Sequence, residues 1–174
     1  SLGLKSTFIG GFFYLGAPNL LPGRVTPGNQ RTDVFTDPDE YSQTTPSETG
    51  TLLADIYQCA QNSGGALIAA FPDKVNPATC QLLIDFMAQD KLGSLIQGGV
   101  PDGTLVPHKH GYVPDSSDGV VRDTSDVAIV YTPGGNFVLS IYSYHPINNV
   151  WDNINPLFGN LSKAVYNYFN ATVQ

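Results

Sequence analysis

The sequence predicts an α+β fold. Two segments with helix start signals fill residues 46–97, three β-prone stretches follow residue 104, and an amphipathic segment closes the chain. Residues 1–46 carry little periodicity. Phe8, Phe12, Phe13, Tyr14 and Leu15 form an apolar patch broken by Gly10, Gly11 and Gly16, and Pro18 to Asp39 is dominated by Pro, Gly, Asn and Asp. A connection of that length often borders a functional site when ordered; a surface excursion packed down by its own aromatics explains it equally.

The first helix has a clear start. Thr45 can cap, Pro46 fits the first helical position, and Glu48 stands three residues after Thr45, as a capping box requires. Leu52, Leu53, Ile56, Tyr57 and Ala60 recur at helical spacing, so the helix should cover residues 46–61 and stop at Asn62-Ser63-Gly64-Gly65. Asn76 and Pro77 open a second helix, whose apolar stripe reads as Leu82, Leu83, Phe86 and Met87. Lys91 to Ile96 continues as a short turn or helix before Gly98 and Gly99.

From Thr104 the period changes. Leu105–Tyr112, Val127–Tyr131 and Phe137–Tyr144 are β-prone, with Pro133-Gly134-Gly135-Asn136 a hairpin signal between the last two. Leu157, Leu161, Ala164, Val165, Tyr168 and Phe169 give the terminal helix an inward face. The 174 residues, 41% hydrophobic, suit one domain with a sheet covered by helices.

Charge and composition narrow the function. Fifteen acidic against eight basic residues give a net charge of -7, with no basic tract to condense on phosphates, so nucleic acid is not an expected partner. No run approaches the roughly 18 apolar residues of a membrane span, and Ser1-Leu2-Gly3-Leu4-Lys5 is not the start of a signal peptide. Cys59 and Cys80 fall near the end of one helix and the start of the next. An export-compatible disulfide and two buried free thiols look the same at this level. Asn160-Leu161-Ser162 and Asn170-Ala171-Thr172 match the glycosylation pattern, and low lysine with abundant Tyr, Asn, Thr and Ser suits an extracytoplasmic surface.

The chemistry-bearing run is His108-Lys109-His110-Gly111. An ammonium on a strand suits an anionic ligand, and a solvated edge lysine that discourages sheet-to-sheet association is the plainer reading. Arg122, in Asp118-Gly119-Val120-Val121-Arg122-Asp123, either offers a bidentate contact to a carboxylate near Lys109 or pairs locally with Asp118 or Asp123. His108 and His110 can face one way with His145 arriving from another strand, yet ordinary polar placement outweighs a metal site. No dinucleotide or phosphate-loop signature, no Gly-x-Ser-x-Gly elbow and no Ser-x-x-Lys occurs, and no cofactor is expected.

The order of these pieces resembles the C-terminal half of the penicillin-recognising serine hydrolases, the class A β-lactamases and DD-peptidases. Lys109-His110-Gly111 stands where that family carries Lys-Thr/Ser-Gly. Thr44-Thr45-Pro46, Asn76-Pro77-Ala78-Thr79 and Leu83-Ile84-Asp85-Phe86-Met87 resemble its two helix openings and a Leu-Ile-Asp-Trp-Met helix. Asp126–Tyr131 and Phe137–Tyr142 resemble its last two strands, and Leu2-Gly3-Leu4-Lys5-Ser6-Thr7 matches more loosely.

The resemblance implies a partial β-lactamase/transpeptidase-like fold, with at least three antiparallel strands and helices. Residues 1–174 would form the C-terminal portion of one domain, with the nucleophile motif outside this chain. It implies Lys109 as a catalytic residue and His110, Gly111 and Arg122 as substrate-binding residues, with a β-lactam or D-Ala-D-Ala-like peptide as ligand. The expected partners are a missing N-terminal segment of the same protein or a second copy, and the expected compartment is extracytoplasmic. A hydroxyl is replaced by His110, and the Glu-Pro-x-Leu-Asn pattern that activates water in class A enzymes is missing before Thr44. Asp33, Asp37, Asp39 and Glu40 stand there, each reading better as a surface acid. A catalytically silent binding or structural domain that retains the scaffold is the second reading.

Overall fold

The computed structural model describes residues 2–10, 24–34, 42–62, 64–90, 92, 94–112, 114–115 and 118–171. Phe12 to Leu15, Asp37, Asp39, Glu40, Lys91 and Thr172 lie outside them. Two short strands, β1 (Phe8–Ile9) and β2 (Ser42–Gln43), pair antiparallel ahead of three helices: α1 (Pro46–Asn62), α2 (Ala66–Ala70) and α3 (Pro77–Met87). A single 3₁₀ turn at Gln97–Gly99 leads into β3 (His108–Tyr112), β4 (Asp123–Val130), β5 (Phe137–Tyr144) and the terminal helix α4 (Trp151–Phe169).

The sheet has order β3-β4-β5, antiparallel throughout, with His108 opposite Ala128 and Val130 opposite Phe137. β4 is central and buried on both faces, because successive side chains alternate between two helical layers. Val127 and Ile129 pack with Leu53, Ile56, Cys59, Cys80 and Ile84 of α1 and α3. Ala128 and Val130 pack on the other face with Ile96, Val106 and Phe137, bordered by Val165 of α4.

Thr45 caps α1 by accepting from the Glu48 N–H at 3.2 Å. The Glu48 carboxylate serves a different role from the one a capping box gives it. It accepts from the backbone N–H of Lys5 at 2.7 Å and of Ser6 at 2.9 Å, and from the Thr7 hydroxyl, because the N-terminal segment runs past the helix start and offers several donors at once. A line of hydroxyls continues from there: Thr7 to Thr44, Thr44 to Thr49, and Thr49 to Tyr142 of β5, each 2.9 Å apart. At α3 the box is complete, with Asn76 and Thr79 exchanging bonds at 3.0 Å. A disulfide joins Cys59 to Cys80 with Cα atoms 6.0 Å apart, fastening α1 to α3 inside the apolar layer.

Two helices are rotated from the faces their apolar residues suggest. In α3 the inward residues are Cys80 and Ile84, with Met87 packed beside them, whereas Leu82, Leu83 and Phe86 are exposed. The disulfide fixes which stripe turns in. In α4 the buried line is Ile154, Phe158 and Ser162, and Leu157, Leu161, Tyr168 and Phe169 are exposed. Ser162 turns inward because its hydroxyl donates to Ile96 O at 2.8 Å and because the 3₁₀ turn approaches so closely. A Cβ on Gly99 would stand 2.1 Å from Gly159 O, so only hydrogen fits. α2 is an element that sequence periodicity did not separate, a five-residue turn after Gly65. The three strands fall close to their expected spans: β5 coincides, β4 begins four residues earlier, and the regular part of β3 starts at His108, not Leu105.

Candidate active site

The candidate site is the outer strand β3. Ile129 N–H donates to Pro107 O and Tyr131 N–H donates to Leu105 O, so the odd-numbered residues of this strand turn their backbone toward β4. The antiparallel ladder then turns the backbone N–H and C=O of His108, His110 and Tyr112 toward the unpaired edge. Lys109 shares its face with its register partner Val127, the α1/α3 side, and is exposed; its ammonium donates to His110 O at 2.6 Å. No carboxylate pairs with it among the described residues. Gly111 lies opposite Ser125, and a Cβ there would meet Ser125 Oγ at 2.7 Å, so glycine leaves room for that hydroxyl beside Lys109.

His110 leaves the strand on the other face. Its Nδ1–H donates to Asp90 Oδ2 at 2.7 Å, from the segment just past α3, and the ring keeps 29% of its surface. His108 lies on the same face, fully buried. Its Nδ1–H donates to Asp126 Oδ1 at 3.0 Å, while its Nε2 is sealed from solvent without a hydrogen bond, 3.9 Å from Asp90 Oδ1. Asp126 also accepts from the buried Ile96 N–H at 3.0 Å, and Asn155 of α4 accepts from Leu95 N–H at 2.8 Å. These two bonds hold the turn where Leu95 takes a left-handed φ of 56°.

The charges on this face support one another. Burial pushes the His108 imidazole toward its neutral form, but the hydrogen bond and charge of Asp126 and the charge of Asp90 outweigh it and raise its pKa. Burial likewise opposes ionisation of Asp90, yet the Leu92 N–H, the His110 bond and the charge of both histidines hold its pKa below the usual carboxylate range. Asp126, His108, Asp90 and His110 thus form one line of carboxylate–imidazole contacts through the wall of β3.

Arg122 is not brought beside Lys109. It stands five residues before Lys109's partner Val127, roughly 16 Å away along β4. Its guanidinium grips Asp118 at 2.5 and 3.1 Å and lies 3.5 Å from Asp115, so the local pair takes the side chain and holds the Asp118 carboxyl down at about 2. His145 is likewise remote, its Nδ1 accepting from the Ile147 and Asn148 N–H in its own turn. Among the described residues no group of His, Cys, Asp or Glu could hold a metal ion. Asp33 pairs with Arg31 on the surface at 2.6 Å. Tyr112 packs edge-on against Trp151 at 4.9 Å.

Sequence reasoning missed Asp90 and Asp126 and gave His108 no partner, setting ordinary polar placement above a metal role. One signal was present: an aspartate heading the apolar run Asp126–Tyr131 of a central strand demands a buried partner.

A three-stranded antiparallel sheet held between helices, with Lys109 and Gly111 on its outer strand, is a β-lactamase/transpeptidase-like α+β fold. The chain belongs to the β-lactamase enzyme family, whose sequence model matches residues 1–169. The fold is shared with the TLA-1 extended-spectrum β-lactamase (TM-score 0.58, 21% identity, 84% of this chain and 49% of that one). It is shared also with PBP-A (0.57, 20%, 80% and 46%) and with a class A β-lactamase of Bacteroides cellulosilyticus DSM 14838 (0.58, 18%, 76% and 44%). The chain therefore spans less than half the length of these structures. No curated protein matches it in sequence.

Proposed function

We propose that this chain is the sheet-bearing part of a serine acyl-transfer hydrolase of the β-lactamase or DD-peptidase type, acting on a carboxylate-bearing peptide or β-lactam, with the nucleophile supplied from outside these residues. One observation carries the reading: the Lys109 ammonium is exposed, free of any described carboxylate and set on a strand edge that no described residue pairs. A cation placed so has Coulomb attraction to offer a ligand anion, and the outward N–H groups of His110 and Tyr112 give an extended ligand backbone its hydrogen bonds. Gly111 keeps the strand slim beside Ser125. His110 contributes from the other side of the strand, and Arg122 is left out because Asp118 holds it.

Two further parts of the proposal follow from surface and chemistry. The edge of β5, unpaired among the described residues, and the apolar residues exposed on α3 and α4 suit a complementary segment of the same protein, or a second copy. The disulfide suits an extracytoplasmic, oxidising compartment. Within the described residues no helix is long and apolar enough to cross a membrane.

The test uses the protein encoded by the full reading frame. Replacing Lys109 by Ala should slow acylation by a fluorescent penicillin by roughly 30-fold or more, the loss of one charge-assisted contact, with the melting temperature unchanged. An unchanged acylation rate would remove Lys109 from the site. A reading frame without an upstream serine and lysine pair would favour the silent binding domain.

A further inference from the structure

His110 occupies the place where the resembling family carries a hydroxyl, and the two groups differ in one decisive way. A hydroxyl rotates and donates to an anion at any ordinary pH, whereas an imidazole donates only from a nitrogen that bears a proton. Asp90 settles which nitrogen that is. Its carboxylate only accepts, and with Oδ2 2.7 Å from Nδ1 it holds the ring's first proton on Nδ1. Nε2 has no partner among the described residues and is not among the sealed polar atoms, so it is the nitrogen offered to a ligand. In the neutral ring it presents a lone pair, which repels an anion. In the doubly protonated ring it presents N–H and a positive charge.

We propose that His110 is a proton-gated anion contact of the β3 edge, with Asp90 as its positioning residue, so that a carboxylate-bearing ligand binds this chain more tightly as pH falls. This rests on the acyl-transfer reading and adds a regulation to it. The charged groups facing the ring are Asp90 from the segment after α3, Asp126 from β4 and His108 from β3 itself, while Lys109 lies on the strand's opposite face with its ammonium on the His110 carbonyl. His108 is buried between the two aspartates, so at the half-buried His110 ring the ligand's own charge is the variable element. By reciprocity, binding an anion draws a proton onto His110.

Two measurements on the full-length protein test this. Imidazole nitrogen NMR should find His110 protonated at Nδ1 and bare at Nε2 at the alkaline end of the titration; an Nε2–H tautomer there overturns the proposal. Affinity for N-acetyl-D-Ala-D-Ala, with the same peptide amidated at its C-terminus as control, is then followed from about pH 5 to 8.5. The acid peptide should weaken by roughly tenfold or more across that range and the amide should not, since a charge-assisted donor is lost only to the anion. His110→Thr should flatten the profile. Asp90→Asn should hold affinity at the alkaline end, because an amide can donate to Nδ1 and let the neutral ring carry its proton on Nε2. A flat wild-type profile, or variant profiles that follow the wild type, overturns the gate while leaving the acyl-transfer reading intact if Lys109→Ala slows acylation as expected above. No binding of either peptide at any pH overturns both.

Discussion

The two faces of the sheet are built on different principles. Toward α1 and α3 the sheet meets hydrocarbon, Leu53, Ile56, Ile84, Val127 and Ile129, drawn together by a covalent link at Cys59–Cys80. Toward α4 and the 3₁₀ turn it meets apolar side chains such as Ile96, Val106 and Phe158 interleaved with a set of buried polar ones: His108, Asp126 and Ser162, together with the backbone of Ile96. The first face is tolerant, because apolar contacts have no direction. The second is demanding, since each buried donor there depends on a particular acceptor. The demanding face also holds the inner wall of β3, so the strand carrying Lys109 is kept in place by polar bonds that pH can reach.

That contrast can be broken at its strongest point first. Asp126→Ala leaves the fully buried His108 and the Ile96 N–H without an acceptor, and should lower stability by about 3–5 kcal/mol, the cost of stripping one partner from a buried pair. A urea midpoint that barely moves would show that this face tolerates such loss. Replacing both cysteines by Ala on the other face should remove about 3 kcal/mol, the loop-closure contribution of a link spanning 21 residues, with a matching loss under reducing agent.

A smaller effect separates the faces by titration. The raised pKa of His108 means that its contribution is fully present below the unfolded imidazole value of about 6.5 and is lost as pH rises through the higher folded value. Asp90, with its lowered pKa, contributes above the unfolded carboxylate value of about 3.9, and that part is lost as pH falls through the lower folded value. Melting temperature should therefore decline as pH rises above about 6.5, and His108→Gln should flatten that limb; an equal decline in the variant would assign it elsewhere. Smallest of all, Leu83→Gln with Leu161→Gln should leave stability within about 0.5 kcal/mol per site, since both side chains are exposed. The same pair should reduce association of the isolated 174-residue chain in light scattering. Association that is unchanged would move the contact to the strand edges.

Start signals were more legible than faces. Thr45-Pro46 and Asn76-Pro77 carry backbone chemistry that acts locally, so α1 and α3 begin where they say, and β5 begins just after the Pro133-Gly134-Gly135-Asn136 signal. Which stripe of α3 or α4 turns inward was not legible. Both helices are apolar on more than one side, and the choice is made by a disulfide in one case and by the Gly99–Gly159 approach in the other. In the candidate site, Lys109 and Gly111 were readable from a local run. Asp90 was not, because Gln89-Asp90-Lys91 is an unremarkable polar segment until the register of β3 and the path after α3 bring its carboxylate to His110. Arg122 had both its readings in the sequence, and the four-residue spacing to Asp118 within one loop prevailed over the longer reach.

The hydroxyl line from Glu48 to Tyr142 has a polarity. The Glu48 carboxylate can only accept, so Thr7 must donate to it; each hydroxyl owns a single proton, so Thr44 donates to Thr7, Thr49 is left to share its proton between Thr44 and the Thr45 carbonyl, and the Tyr142 phenol donates to Thr49. A single negative charge at the start of α1 thereby orients a ring hydroxyl on β5, ninety-four positions further along the chain. With its pKa held low by the Thr7, Ser6 and Lys5 donors against the opposing pull of burial, Glu48 keeps that direction fixed until the carboxylate itself takes up a proton. The N-terminal segment is then read by the sheet as an arrow, and acid removes the constraint that sets it.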